Sequence, residues 1–391
     1  MRIWYDVSGL TDWTRPQLGG IERTTTGVLQ GLAARAVPLR LVHVARGATT
    51  FAAVDFAALP EAVRAHLPAA TGRAWPAERP GAVPFADGDV LLSVGGTFTI
   101  VGHPQAVDTA RAAGVRIVRL LYDLIPATKP QWVPASRIWT AWTRHVLGRS
   151  DLVLAISRFT AAEAAGFCAG HGLPVPPLEV IRLADVLAAA AAPAATPPLP
   201  RFVPSRPFFL CVSTLDVRKN HRSLYEAWRV LAARRPGRCP DLVCVGAAHV
   251  QVSELLHEIR HDRDVNRHIH VLHDVHDAEL GWYYRHCTAT IYPSKHEGWG
   301  LPVAESLGLG RLCIAARTTS LPEISPDLPA WFEPHDVARL VALVERSIDE
   351  PAWRQEREQA IRRSFRPTSW PETAAQVLAA VGRLDDHRAA A

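Results

Sequence analysis

The sequence predicts a two-lobed α/β protein, each lobe a parallel sheet covered on both faces by helices. Three observations carry this. Short apolar runs alternate with helical segments along the whole chain, the pattern of parallel strands joined by crossover helices. At 391 residues the chain exceeds one ordinary core. Near the middle, residues 185–207 (DVLAAAAAPAATPPLPRFVPSRP) hold six prolines among many alanines, and the alternation then begins again. The expected division is a first domain at 1–190, a linker at 191–207, a second domain at 208–365 and a last helical segment at 366–391.

Residues 2–7 (RIWYDV) form the first strand. The loop behind them ends in Leu18-Gly19-Gly20, and a helix containing TTTGVLQGLAARA follows. Gly19 and Gly20 ahead of a helix let the backbone approach a ligand; a plain turn is the other reading. Strands are expected at 39–45 and 89–96, with a short helix at 60–67 between them. A helix at 104–113 leads into the strand 115–123 (VRIVRLLYD). Asp123 stands at its carboxyl end, where doubly wound sheets bind ligands; a loop acid capping its own turn is the alternative. The helix expected at 131–151 carries Trp132, Trp139 and Trp142 with Arg137, Arg144 and Arg149. Such a face suits a membrane surface, though the commoner arrangement puts the tryptophans in the core and the arginines in solvent. The strand 151–157 ends at Ser157, a cap for the next helix, and 178–184 is the last strand of this half.

The second half repeats the scheme. Strands are expected at 208–214, 241–247, 268–274, 289–294, 311–316 and 330–334. Helices are expected at 221–235, 252–262, 277–287 (capped by Asp277), 302–308, 336–348, 351–364 and 371–384.

Composition excludes several classes. Hydrophobic residues make up 48% and charged residues 21%, as in ordinary globular proteins. The six cysteines show no CxxC spacing, which fits buried free thiols in a reducing compartment. The opening MRIWYDVSG lacks an apolar core of signal-peptide length, and no apolar run reaches spanning length. The expectation is a cytoplasmic protein, with peripheral contact to the inner face of the cytoplasmic membrane open. A net charge of +5, mostly in the first half, is too thinly spread for a nucleic-acid binder.

The chemistry concentrates around residues 291–305 (IYPSKHEGWGLPVAE). A strand end meets the turn Glu297-Gly298-Trp299-Gly300, and Leu301-Pro302 open a helix. Proline suits a first helical turn because the N–H it lacks would be unpaired there. The unpaired N–H groups at such an end attract phosphate. Two acids flank this anion site, Glu297 before the helix and Glu305 eight positions later. They make sense if they bind hydroxyls, so a sugar nucleotide would use the whole stretch. Arg218 and Lys219, between a strand and a helix, would add charge for a diphosphate; taken alone, such a pair is more often a solvated surface.

These segments resemble a family. EGWGLPVAE looks like the E-x7-E motif of family 4 retaining glycosyltransferases, which have the GT-B fold. STLDVRKNHRSLYEAW resembles that family's strand–RKN–helix segment, VHDAELGWYYRHCTATIYPSKHEGWGLP its run from D-x-EL to PS-x-x-EG-x-GLP, and TTSLPEI the segment after it. YDVSGL…LGGIERTTTGVL is similar to the opening of bacterial polysaccharide mannosyl- and rhamnosyltransferases. LYDLIPATKP and LVLAISRFTAAE match further first-lobe elements, and SFRPTSWPETAAQVL resembles the family's last helix.

The resemblance implies two Rossmann-like domains facing across a cleft, with the C-terminal helix crossing back to the first lobe. It implies that Arg218 and Lys219 hold the donor diphosphate. Glu297 would contact the donor sugar and Glu305 the ribose. Gly298, Gly300 and Leu301 would offer backbone groups, Gly19 and Gly20 would bring a helix end to the reaction centre, and Asp123 would lie beside it. The family's usual histidine is replaced by Tyr122, with His103 as a substitute. No Asp-x-Asp pair lies in a strand-end loop, so neither metal nor cofactor is expected. The implied reaction moves a hexose, first of all mannose from GDP-mannose, onto a saccharide or lipid-linked surface glycan. The alternatives are a UDP- or dTDP-sugar donor, a soluble acceptor, or a non-catalytic nucleotide-sugar-binding protein.

Overall fold

The computed structural model describes residues 2–14, 18–67, 81, 83–133, 136–185 and 200–389. The chain divides into two compact units. One comprises Met1–Ala184 with Thr368–Ala391, the other Asp185–Pro367. Residues 186–199, which include the first part of the expected linker, lie outside the described residues.

The first unit holds β1 (Ile3–Asp6), β2 (Leu39–His43), β3 (Ala52–Ala53), β4 (Val90–Ser93), β5 (Arg116–Leu121), β6 (Leu152–Ala155) and β7 (Leu178–Val180). Their order is β3-β2-β1-β4-β5-β6-β7. Every pairing is parallel except that of β2 with β3. Strands β1 and β4, buried along their whole length, are read as near-continuous apolar runs because helices cover both faces.

The first unit also contains the helix Trp370–Gly382, which packs on Gly20–Ala34. The contact is possible because two glycines face it. A Cβ on Gly27 would lie 2.1 Å from the Trp370 ring, and one on Gly31 would lie 2.3 Å from the Trp370 carbonyl oxygen. Ser369 and Glu372 form a reciprocal capping box at the start of this last helix. Its side chains also explain why β7 stops early. The expected strand 178–184 ends at Val180, since the Arg182 N–H donates to Gln376 Oε1 (2.9 Å) and its carbonyl accepts from Thr373 Oγ1 (2.9 Å). Backbone groups spent on the helix cannot extend the sheet.

The second unit holds β8 (Phe208–Val212), β9 (Asp241–Val245), β10 (Ile269–Leu272), β11 (Ala289–Tyr292), β12 (Cys313–Ala316) and β13 (Ala330–Phe332), ordered β10-β9-β8-β11-β12-β13 and parallel throughout. Side chains alternate between two apolar layers. Phe209, Cys211, Leu242 and Ile291 face a core with Trp228, while Phe208, Leu210, Val243 and Val245 face Tyr283 and Tyr284. Helix Asp277–His286 begins one residue earlier than a cap at Asp277 requires. His276 takes the cap position and Asp277 sits in the first turn, where its charge favours the helix dipole. All six cysteines are buried and free. Among the described residues no helix is long and apolar enough to cross a membrane.

Candidate functional site

In the second unit, strand order builds the site. The chain leaves β8 toward β9 on one side, and β11 pairs with β8 on the other. The loops after β8 and β11 therefore diverge at a topological switch point, the crevice where open α/β sheets bind ligands. The loop after β8 makes a short 3-10 turn, Val217–Lys219, capped by Asp216, whose Oδ1 accepts the Arg218 N–H at 2.9 Å. Asn220 follows in the left-handed region at φ 61° and opens the helix His221–Arg234. Its side-chain amide donates to the carbonyls of Pro293 (3.1 Å) and Pro334 (2.8 Å), tying the two loops together.

Glu297, in the loop after β11, meets both cations. Its Oε2 is 3.1 Å from Arg218 Nη1, and its Oε1 is 2.6 Å from Lys219 Nζ. Tyr292 completes the cluster, accepting from Lys219 Nζ (2.8 Å) and donating to Glu297 Oε1 (2.9 Å). The carboxylate is shielded from water, its side chain 8% exposed, while Lys219 (11%) and Arg218 (22%) are half-buried. Burial pushes the Glu297 carboxyl upward, but Lys219 and then Arg218 overcome it and hold the group at about 2. Glu297 is thus an anion throughout the working pH range, and its charge is already matched by basic groups. Burial, with Glu297 next to it, raises the Tyr292 hydroxyl well above its ordinary value, so it stays a donor.

Gly300, at φ 110°, caps the helix Leu301–Gly308 in a conformation that side chains rarely adopt. At this end the Val303 N–H already donates to the Gly300 carbonyl (3.0 Å) and Pro302 carries none, which leaves Leu301's N–H without an intrahelical acceptor. Glu305 lies one turn in, buried, and its Oε2 accepts from the Tyr284 hydroxyl at 2.8 Å. Tyr292, Asn220 and Tyr284 were not legible as site residues, because each sits in an apolar or helix-edge context that reads as core.

The first unit presents its expected residues separately. Gly19 is the extended N-cap of the helix Gly20–Ala34, and both glycines are exposed there. Asp123 caps its own turn, its Oδ1 accepting the Ile125 N–H at 3.0 Å. Tyr122 donates its hydroxyl to the Val94 carbonyl at 2.8 Å. His103 cannot stand in for the family's histidine. It is fully buried, its ring packs edge-on against Phe51, and its Nε2 lies 2.7 Å from Asp6 Oδ2. Asp6 also accepts from Ser8 and Ser93, and despite burial these partners hold its carboxyl at about 2. This network ties strand ends to a helix inside the lobe.

The helix found at Ser136–Arg149 places Trp139 and Trp142 against Phe98, with ring centroids 4.6 and 6.1 Å away. Ile138 (67%) and Val101 (90%) remain exposed.

Residues 200–365 match the family model described as glycosyl transferases group 1. The serotype-specific mannosyltransferase WbdA of Escherichia coli is 26% identical over 312 residues, covering 70% of this chain and 37% of its own length. The chain therefore spans little more than a third of that relative. The O-antigen chain mannosyltransferase B of E. coli is also 26% identical, over 61% of this chain and 63% of its own. Among solved structures, HepE of Anabaena, in complex with UDP and glucose, superposes with a TM-score of 0.65 at 14% identity, over 98% of this chain and 99% of its own. Its fold is shared along nearly the entire length. Residues 200–365 are a group 1 glycosyl transferase domain, carried on a chain with the GT-B fold.

Proposed function

We propose that the protein is a retaining glycosyltransferase that moves a hexose from a nucleotide sugar, mannose from GDP-mannose first, onto a bacterial surface glycan. The observation that carries this reading is the buried cluster of Arg218, Lys219 and Glu297 beside the start of the helix Leu301–Gly308. Two cations against one carboxylate leave a net positive charge at a helix end. That arrangement suits a diphosphate leaving group, whose charge grows as the bond to the sugar's C1 breaks. A carboxyl held at about 2 cannot act as a general acid. Glu297 therefore positions the sugar and the two cations, and Glu305, braced by Tyr284, takes the ribose hydroxyls. Gly298, Gly300 and Leu301 offer backbone groups to sugar or phosphate. Gly19, Gly20 and Asp123 serve the acceptor side in the first domain.

Mannose is favoured because two curated relatives are named mannosyltransferases. A lipid-linked acceptor at a membrane surface is favoured by Ile138 and Val101, exposed on the lobe that carries the Trp139–Trp142–Phe98 cluster and Arg137. The test is incubation with GDP-mannose, UDP-glucose and dTDP-rhamnose, following nucleotide release and the anomeric configuration of any product. Failure to release nucleotide from any of the three refutes the reading. Co-sedimentation with anionic liposomes, and its loss in Ile138→Asp, tests the membrane contact.

A further inference from the structure

The turn after β12 carries three consecutive hydroxyl residues, Thr318, Thr319 and Ser320, and each spends its hydroxyl on the loop that holds Glu297. Thr318 Oγ1 donates to the Lys295 carbonyl (3.1 Å). Thr319 Oγ1 accepts the Glu297 N–H (3.0 Å). Ser320 Oγ, fully buried, reaches the carbonyls of Glu297 (2.9 Å) and Trp299 (3.1 Å). The backbone of Glu297 is thus gripped at both its N–H and its C=O by neighbouring side chains. Its carboxylate is gripped independently by Arg218, Lys219 and Tyr292.

Thr319 adopts φ 46°, in the left-handed region. A β-branched residue is a true outlier there, since its Cβ crowds the backbone. Glycine would relieve the strain but would supply no acceptor for the Glu297 N–H. Strain of this kind persists where the surroundings over-determine it, and it clusters at working sites.

We propose that Thr319 is a positioning residue for the donor site, strained so that its hydroxyl sets the backbone of Glu297 and through it the carboxylate on Arg218 and Lys219. The assignment rests on the glycosyl-transfer reading above. Its consequence is that backbone comfort and activity are opposed at this position. A loop freed from the hydroxyl keeps its ion pairs but loses the fixed geometry on which transfer depends, and a shift of an ångström at such a site costs orders of magnitude in rate.

Three full-length variants test it. Thr319→Ser keeps the acceptor, Thr319→Gly relieves the strain and removes the acceptor, and Thr319→Val keeps the strain and removes the acceptor. The readouts are the melting midpoint, kcat and donor KM with whichever of GDP-mannose, UDP-glucose and dTDP-rhamnose the wild type consumes, and hydrogen exchange of the Glu297 amide. Thr319→Ser is expected within about twofold of wild type in all of them. Thr319→Gly is expected to melt at or above the wild-type midpoint, yet to lose roughly tenfold or more in kcat with KM changed less than about threefold. Its Glu297 amide should exchange about tenfold faster or more. Thr319→Val is expected to lose both stability and kcat. A Thr319→Gly enzyme with wild-type kcat, or a Glu297 amide equally protected in all variants, overturns the proposal. If the wild type consumes no donor, the glycosyl-transfer reading fails, and with it the donor-site role; the exchange arm then still decides whether Thr319 holds the loop.

Discussion

Lys219→Met isolates the energetics of the buried cluster. In the wild type Glu297 is held at about 2 against an ordinary 4.5. At about 1.4 kcal/mol per pH unit, that depression corresponds to roughly 3 kcal/mol of stability at neutral pH. Because the folded value is the lower one, the contribution is complete above the ordinary value of 4.5 and drains away as pH falls toward 2. Removing Lys219 takes away the largest favourable partner and leaves Arg218 and Tyr292 to neutralise a carboxylate that burial disfavours. The expected cost at pH 7 is about 2–3 kcal/mol, or roughly 4–12 °C in melting temperature for a unit of this size. The difference from wild type should shrink as pH drops toward 3. A double-mutant cycle with Glu297→Gln, read by urea unfolding followed through tryptophan fluorescence, is expected to show a coupling of about 2 kcal/mol. A coupling below about 0.5 kcal/mol at pH 7, or a Lys219→Met deficit that does not change with pH, would refute the reasoning.

Four further outcomes follow from the surroundings of particular residues. Gly31→Ala drives a methyl group to 2.3 Å from the Trp370 carbonyl, which the backbone cannot yield, so thermal melts should show a loss of about 2–3 kcal/mol. Gly382→Ala, with nothing within 4 Å, should be neutral or stabilising by up to about 1 kcal/mol. Tyr284→Phe deletes the hydroxyl that braces Glu305 and should raise donor KM by about five- to tenfold, roughly 1 kcal/mol, with a smaller change in kcat. His103→Leu strips the buried Asp6 of its main partner; Asp6 then rises from about 2, and acid unfolding should begin at higher pH, with about 3 kcal/mol lost at pH 7.

Much of this was legible in the chain. The helix Pro351–Ser364 lies where its proline start and its length put it. The parallel strands of both sheets fall within the apolar runs that announced them, because fully buried parallel strands must be apolar on both faces; the short antiparallel β3 falls where no strand was expected. Glu297 and Glu305 stood out because acids beside a glycine turn at a helix start have few structural reasons to be there, and Arg218 and Lys219 as a basic pair between a strand and a helix. The differences from the sequence expectation have two causes. For the strand 178–184, which ends early, and for His103, which is no ligand contact, the deciding partner lies far away in the sequence: Gln376 and Thr373 for Arg182, and Asp6 for His103. The cap expected at Asp277 differs locally, by one residue, because His276 takes that position. A local pattern shows that a group needs a partner but not which residue supplies it.

The same division holds for the site. By itself the sequence determined most of the elements, the glycine turns and the presence of two cations and two acids. It did so because these depend on neighbours a few positions apart. That Lys219 touches Glu297, 78 positions later, was decided by β8 pairing with β11 while β9 leaves on the other side. That pairing alone turns an exposed basic pair and a solvated acid into one buried cluster. Tyr292, Asn220 and the three hydroxyls of residues 318–320 acquire their roles only there. Their partners exist only once the sheet is formed, and in a buried site an unmade hydrogen bond costs more than a made one returns.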